Sequence, residues 1–390
     1  MVWTHPVRFV VRVKPAATLL PPTQDLSSGQ AELPLRAIKE EQKVCFEGSE
    51  TMVDAAFDGS VPQKTVFAQG KPLVKAFLSG RSCSVLTYGA TGSGKTHSML
   101  GDSALLKKYL QLDQSLAASL ASSEAAGLGG SPARKTPRKA VIKLRSKKMS
   151  LQPKMSPVSL AMTPGKGAGG EPLAKAPKVD AATARLLEEM SQEKNLGLLP
   201  RFVQKIFSRI RKKHLDVTVS CSFMQLQHEN VYDLLLLDPA SSGIGSILQT
   251  LRLKEEKPKG STSPFKSAAQ SLGAEVEGLT HFRVSNEQDC LNLLLQGERN
   301  RVTRMRQLNY QGIRCTSLFQ LHLQSNTADR HGALRKAKFN FCDLASSDRV
   351  SAQEELDARH LVDLKKLNQS VKAVEGVVTA VCQSKQTNTR

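Results

Sequence analysis

Residues 89–96 read Gly-Ala-Thr-Gly-Ser-Gly-Lys-Thr, a complete G-x-x-x-x-G-K-[ST] phosphate-binding loop. Gly89 and Gly94 let the backbone turn with no Cβ in the way, so successive N–H groups can face one anion. Ala90, Thr91, Gly92 and Ser93 make up the rest of the cradle. Lys95 places a cation against the outer phosphates, and Thr96 offers a hydroxyl to Mg²⁺. A helix opening at the loop adds its positive N-terminal end. The implied chemistry is binding of a nucleotide's phosphates with magnesium. The competing reading is a bland glycine-rich turn, and the preceding residues argue against it. Residues 83–88, Cys-Ser-Val-Leu-Thr-Tyr, read as a buried strand, so the order is strand, loop, helix.

The elements that must position this loop fit one large α/β domain or two small ones, given 390 residues. Apolar content is 40% but aromatic content only 5%, which predicts a core not spread evenly along the chain. No run of 18 or more apolar residues is present, and residues 1–15 lack the apolar stretch and cleavage site of a signal peptide. Seven cysteines with no C-x-x-C fit thiols in a reducing compartment and argue against zinc. The net charge of +20 favours a polyanionic partner: nucleic acid, an anionic membrane face or an acidic protein surface. More than half of it is local, because residues 131–178 hold twelve Lys/Arg against Glu171 alone, a net +11.

Along the chain, residues 7–13 read as a first strand stopped by Pro15. Residues 18–35 read as loop. Val66, Phe67, Leu73, Val74, Phe77 and Leu78 keep helical spacing, with Gly80 where a C-cap belongs. Residues 103–190 are rich in Ala, Ser, Gly, Pro and Lys, too poor in apolar surface to offset ordering entropy, which predicts a mostly disordered insertion. Its margins, 105–120 and 181–190, have helical character. Thr136-Pro137 and Thr163-Pro164, each with a base downstream, suit a proline-directed kinase, although such pairs are ordinary in disordered tracts. Beyond it, residues 199–210 predict an amphipathic helix, 217–223 an alternating strand, and 254–273 a polar loop. Residues 291–296 continue a helix towards Arg304. Strands are expected at 318–324 and 339–344, and a helix at 361–381. Strands alternating with helices predict an α/β sheet with the phosphate loop at a strand's carboxyl end.

Taken in order, the motifs give the whole chain a resemblance to a kinesin motor domain. Residues 88–101, Y-G-A-T-G-S-G-K-T-H-S-M-L-G, are similar to that family's P-loop, and 222–235, ending Y-D-L-L, resemble its S-x-x-E-I-Y-N-E-x-x-Y-D-L-L. Arg12-Val13-Lys14-Pro15, Phe57-Asp58, 195–201, 277–280 and 368–370 resemble its R-x-R-P, F-D, G-I-I-P-R, G-L-T and I-N-K-S-L elements. The resemblance implies a P-loop NTPase whose central mixed sheet is flanked by helices on both faces. It implies Arg12 and Pro15 flanking an adenine, with His97 nearby. It divides the chain into 1–102, an inserted 103–190, and 191–390. Thr389-Arg390 fall where the family continues into a further helix and an inner strand.

The two switch elements depart from the family. The first, N-x-x-S-S-R-S-H, aligns with residues 309–316: Asn309 and Arg314 are kept, while the serines are Ile313 and Cys315. Ile donates no hydrogen bond, and Cys is a poor donor and a weak Mg²⁺ ligand. The second, D-L-A-G-S-E-R, aligns with 343–349. Asp343 can hold a Mg²⁺-bound water, the hinge glycine is Ser346, and the glutamate that pairs with the switch arginine is Asp348. Arg314, Asp343 and Asp348 are therefore the residues the resemblance assigns to catalysis, with Thr96 and Asp343 at the metal.

Three readings follow. The first is a microtubule-dependent ATPase of the cytoplasmic cytoskeleton, including the spindle, with tubulin, ATP/ADP and Mg²⁺ as partners. The second is a pseudo-motor that holds nucleotide and microtubules with weak or no turnover. The third is a basic nucleic-acid binder, disfavoured because no aromatic stacking positions interleave the basic residues. No membrane partner is expected.

Overall fold

A computed structural model describes residues 7–14, 35–46, 49–101, 173–177, 181–192, 196–236, 250–255, 274–307, 315–328, 334–346 and 358–387. The strands are β1 (Val10–Arg12), β2 (Leu35–Ile38), β3 (Lys43–Phe46), β4 (Ser49–Met52), β5 (Ala55–Phe57), β6 (Cys83–Thr87) and β7 (Ala174–Lys175). They continue as β8 (Val217–Gln227), β9 (Asn230–Asp233), β10 (Thr250–Glu255), β11 (Ala274–Glu277), β12 (Phe282–Val284), β13 (Thr316–Ala328) and β14 (Leu334–Asp343). The helices are α1 (Gln63–Leu78), α2 (Lys95–Leu100), α3 (Ala181–Gln192), α4 (Leu198–Lys213), α5 (Glu287–Gln307) and α6 (Ala358–Thr387).

A mixed sheet runs β11-β10-β9-β8-β13-β14-β6, with β12 branching from β8 and β7 pairing with β12. The long β8, β13 and β14 form antiparallel ladders, while β6 lies parallel to β14, Asp343 opposite Thr87. This register sets the carboxyl ends of β6, β14 and β8 along one rim. The strand expected over 7–13 is shorter, Val10–Arg12, and pairs with β5 in a separate two-stranded sheet. A three-stranded sheet β2-β3-β4 was not anticipated from the sequence.

The period-2 pattern of β13 and β14 sends Phe319, Leu321, Phe339 and Phe341 to one face, all fully buried. There they meet the apolar stripes of α1 and α4. Phe202 of α4 sits edge-on to Phe67 at 4.9 Å and to Phe339 at 5.1 Å, the geometry aromatic quadrupoles favour. α5 completes this layer, its Gly297 lying so close to Phe223 that an added Cβ would fall 2.1 Å from the ring.

The expected helix at 181–190 is present as α3, with Leu186 and Leu187 buried. Gly101 and Leu196 form an antiparallel bridge, so the chain that departs after α2 returns beside its point of departure. The expected helix at 105–120, and Thr136 and Thr163, lie outside the described residues.

α6 crosses the rim of strand ends. Asp363, near its start, lies 3.3 Å from His228 at the end of β8. Leu367 and Val371 pack on Ala345 just past β14, and Glu375 accepts from Tyr88 just past β6. Twelve helical residues span about 18 Å, enough to cover three strand spacings of about 14 Å.

Candidate functional site

The loop leaves β6 at Thr87 and enters α2 at Lys95, as the strand–loop–helix order requires. Gly89, Gly92 and Gly94 have φ of 150°, 74° and 94°. All three lie where an L side chain is strained, so the glycines are demanded by the path. At Gly89 a Cβ would also stand 2.6 Å from Ser93 Oγ. Lys95 folds back over the loop, its Nζ donating to the carbonyls of Gly89 at 3.0 Å and Ala90 at 2.9 Å. The ammonium is thus held at the loop mouth.

Asp343 ends β14 and is buried beside the loop. Its Oδ2 accepts from Thr96 Oγ1 at 2.6 Å and its Oδ1 from Thr87 Oγ1 at 2.7 Å. A carboxylate and a hydroxyl converging beside a loop cation form the hard-oxygen donor set that Mg²⁺ takes. Thr96 and Asp343 therefore fit the metal, and Lys95 with the loop backbone fits the phosphates. Bound there, Mg²⁺ would neutralise charge on the outer phosphates.

Arg12 reaches this site from β1, donating to Ser98 Oγ on α2 at 3.4 Å. Partial burial lowers its pKa from the usual guanidinium value. His97 is exposed on α2, and its carbonyl accepts from Gln63 Nε2 at 2.8 Å, which pins α2 to α1. Pro15, Arg314 and Asp348 lie outside the described residues.

Thr87, Thr316, Glu298 and Arg301 escaped the sequence reading, and they join residues it had named. Thr87 could have been found as a hydroxyl on the last residue of the loop strand. Ser346 is buried and its Oγ lies 2.6 Å from Thr91 Oγ1. Ala345 N donates to Thr316 Oγ1 at 3.0 Å, joining the two switch segments directly. Cys315, just before β13, is 5% exposed, and burial raises its thiol pKa although Arg301 partly opposes this. Arg301 itself is buried on α5, its Nε donating to Glu298 Oε2 at 3.0 Å. Burial works against its charge, yet Glu298, with Cys315 and Asp343 adding, holds its pKa above the ordinary value.

The sequence profile of the kinesin motor domain matches residues 24–117 and 186–389, about three quarters of the chain. This chain belongs to the kinesin motor domain family. Among curated relatives, it is 28% identical over 194 residues to Kinesin-related protein 5 of Dictyostelium discoideum, covering 49% of this chain and 17% of that protein. It is 20% identical over 312 residues to Kinesin-like protein Klp61F of Drosophila melanogaster, covering 80% and 20%. It is 24% identical over 338 residues to Kinesin-like protein KIF18A of Mus musculus, covering 86% and 26%. The chain thus spans about a quarter or less of these kinesins' own lengths. The residues matched by the kinesin profile include the loop, Asp343 and the helix α6, while Arg12 lies ahead of them.

Proposed function

We propose that this chain is the nucleotide-handling domain of a microtubule motor, binding Mg·ATP and Mg·ADP and engaging tubulin. The observation that carries the reading is the Thr96–Asp343 pair, at 2.6 Å, set beside a glycine-strained phosphate loop in a kinesin-family chain. Lys95 holds the outer phosphates, Thr96 and Asp343 the cation, and Arg12 and His97 the base. Arg314 and Asp348 complete the constellation as the switch pair, and Pro15 flanks the base with Arg12. The basic insertion supplies a tether for tubulin's acidic tails, with Thr136 and Thr163 as substrates of a proline-directed kinase. The cytoplasmic microtubule array is its place of work.

Turnover is slow in this reading. Hydrolysis needs groups that move to stabilise charge on the transferred phosphoryl group. Here Cys315 is buried against Arg301, and Ser346 is tied to the loop. Loss of one such donor commonly costs about 10²–10³ in rate. The test is an ATPase assay with and without microtubules, beside co-sedimentation. The reading expects Lys95-dependent nucleotide binding, microtubule pelleting and a weak stimulated rate lost in Lys95→Ala. Pelleting with duplex DNA in place of microtubules would contradict it.

A further inference from the structure

We propose that Gln63 is a positioning residue for the cation side of the site: it sets α2, and with it Thr96, through a hydrogen bond to the backbone at His97. The proposal rests on the nucleotide-binding reading above. Helix α2 has six residues, too few to hold a helix by itself, so its placement depends on what grips it. Gln63 opens α1 and is 1% exposed. Its Nε2 donates to His97 O at 2.8 Å. The residue before His97 is Thr96, whose Oγ1 meets Asp343 Oδ2 at 2.6 Å. Lys95 has its own ties to the carbonyls of Gly89 and Ala90, so Thr96 is the residue that a shift of α2 displaces. The other end of the tie is stiff. α1 packs on the core, with Phe67 edge-on to Phe202 and Phe77 5.4 Å from Phe339. A side chain presented from a rigid helix holds its partner more closely than one on a loop.

The chemistry of the amide separates this role from packing. Gln63 Oε1 is buried and, among the described residues, has no hydrogen-bond partner. A buried acceptor left in that state lowers stability. The carbonyl at the far end of the tie does not depend on Gln63, because His97 O also accepts from Gly101 N at 2.9 Å, the bond that closes α2. A methionine at position 63 would be as unbranched as glutamine, would fill the same space and would orphan nothing. Packing alone therefore favours an apolar residue there, and the amide works against it. What the amide adds, and an apolar chain lacks, is a directional tie to α2. Arg12 supplies a second grip from β1, Nη1 to Ser98 Oγ at 3.4 Å. That contact is longer and ends on a side chain, so it constrains the helix backbone less.

The test compares the full chain with Gln63→Met and Gln63→Leu. It reads chemical denaturation without nucleotide, and affinity for fluorescent ADP with magnesium and in EDTA. Both variants are expected to be as stable as the wild type or more stable, since the orphaned acceptor is gone. Both should nevertheless bind ADP with magnesium about three- to tenfold more weakly, the range for one hydrogen bond. The loss should shrink in EDTA, because Thr96 is the residue that the tie holds against the cation site. Wild-type affinity in both variants overturns the positioning role while leaving the nucleotide site intact. Weaker binding that only tracks a loss of stability, or a loss equal with magnesium and in EDTA, overturns it too. No binding of ADP by the wild-type chain overturns the nucleotide reading itself, and the role of Gln63 with it.

Discussion

The hydroxyl of Tyr88 donates to Glu375 Oε1 at 2.7 Å, joining the residue that opens the phosphate loop to a helix whose nearest residue is 270 positions further along the chain. The bond closes a line of contacts that α6 makes across the carboxyl ends of β8, β14 and β6. A helix laid along that rim touches the segments on both sides of the candidate nucleotide site. Its outer face carries Val377, 64% exposed, and Val381, 41% exposed. Tyr88→Phe should leave nucleotide affinity within about twofold, since the bond is solvent-exposed and worth about 1 kcal/mol or less. It should reduce the difference in microtubule affinity between nucleotide states, read by co-sedimentation with ADP and with the imido analogue. An unchanged difference argues against α6 as the connecting element.

The cation pair gives a sharper test. Asp343→Asn keeps the shape but leaves a weaker oxygen donor, and Thr96→Val removes the hydroxyl. Each should make nucleotide binding nearly independent of Mg²⁺, where the wild-type chain is expected to lose affinity on chelation. Titration of fluorescent ADP with and without EDTA reads this directly. Retained magnesium dependence in both variants would show that the cation is held elsewhere.

Packing predictions separate three glycines. A Cβ at Gly197 would lie 2.3 Å from the carbonyl carbon of Leu100 and 2.4 Å from Gly101 N, backbone atoms at the base of the excursion that cannot step aside. Gly197→Ala should therefore destabilise by roughly 1–3 kcal/mol. Gly297→Ala presses on the Phe223 ring and should fall in the same range. Gly376 lies mid-helix in α6 with nothing within 4 Å. Gly376→Ala should stabilise by about 0.5–1 kcal/mol through helix propensity. Chemical denaturation of the three variants checks the order.

His322 carries a pH dependence. It lies on β13 with its Nε2 3.1 Å from Ser222 Oγ and its ring 4.7 Å from that of His281. Burial first, then the neighbouring His281 and Lys338, pushes its pKa down to about 3. The folded state thus holds the ring neutral well below the unfolded value of about 6.5. Its stabilising contribution is complete above that value and is lost as pH falls from about 6.5 towards 3. At pH 5 the loss relative to pH 8 is about 2 kcal/mol. His322→Gln should flatten this part of the denaturation profile, and an equal acid sensitivity in that variant would assign it to other groups.

The sequence was most legible where local chemistry leaves one solution. Positive φ at Gly89 and Gly94 is written into the motif, and the alternation in β13 and β14 and the apolar stripes of α1 and α4 follow from burial on one face. The start of α5 was not legible: it begins at Glu287, ahead of the apolar residues 291–296 that mark the helix, because its first turn is polar and capped by Asn286, whose Oδ1 accepts from Asp289 N at 2.8 Å. The small sheet β2-β3-β4 was not legible, since β4 is exposed at every position and has no alternation to read. Glu298 and Arg301 at i,i+3 look like an ordinary solvated pair, and only tertiary packing buries them. The Thr91–Ser346 contact joins residues 255 positions apart and leaves no trace in spacing.

Equilibrium binding of fluorescent ADP with magnesium, to the wild-type chain and to Lys95→Ala, bears most directly on the whole account. Saturable binding that is abolished in Lys95→Ala and weakened by EDTA is the expected result. No binding by the wild-type chain, or equal binding by the variant, would contradict it.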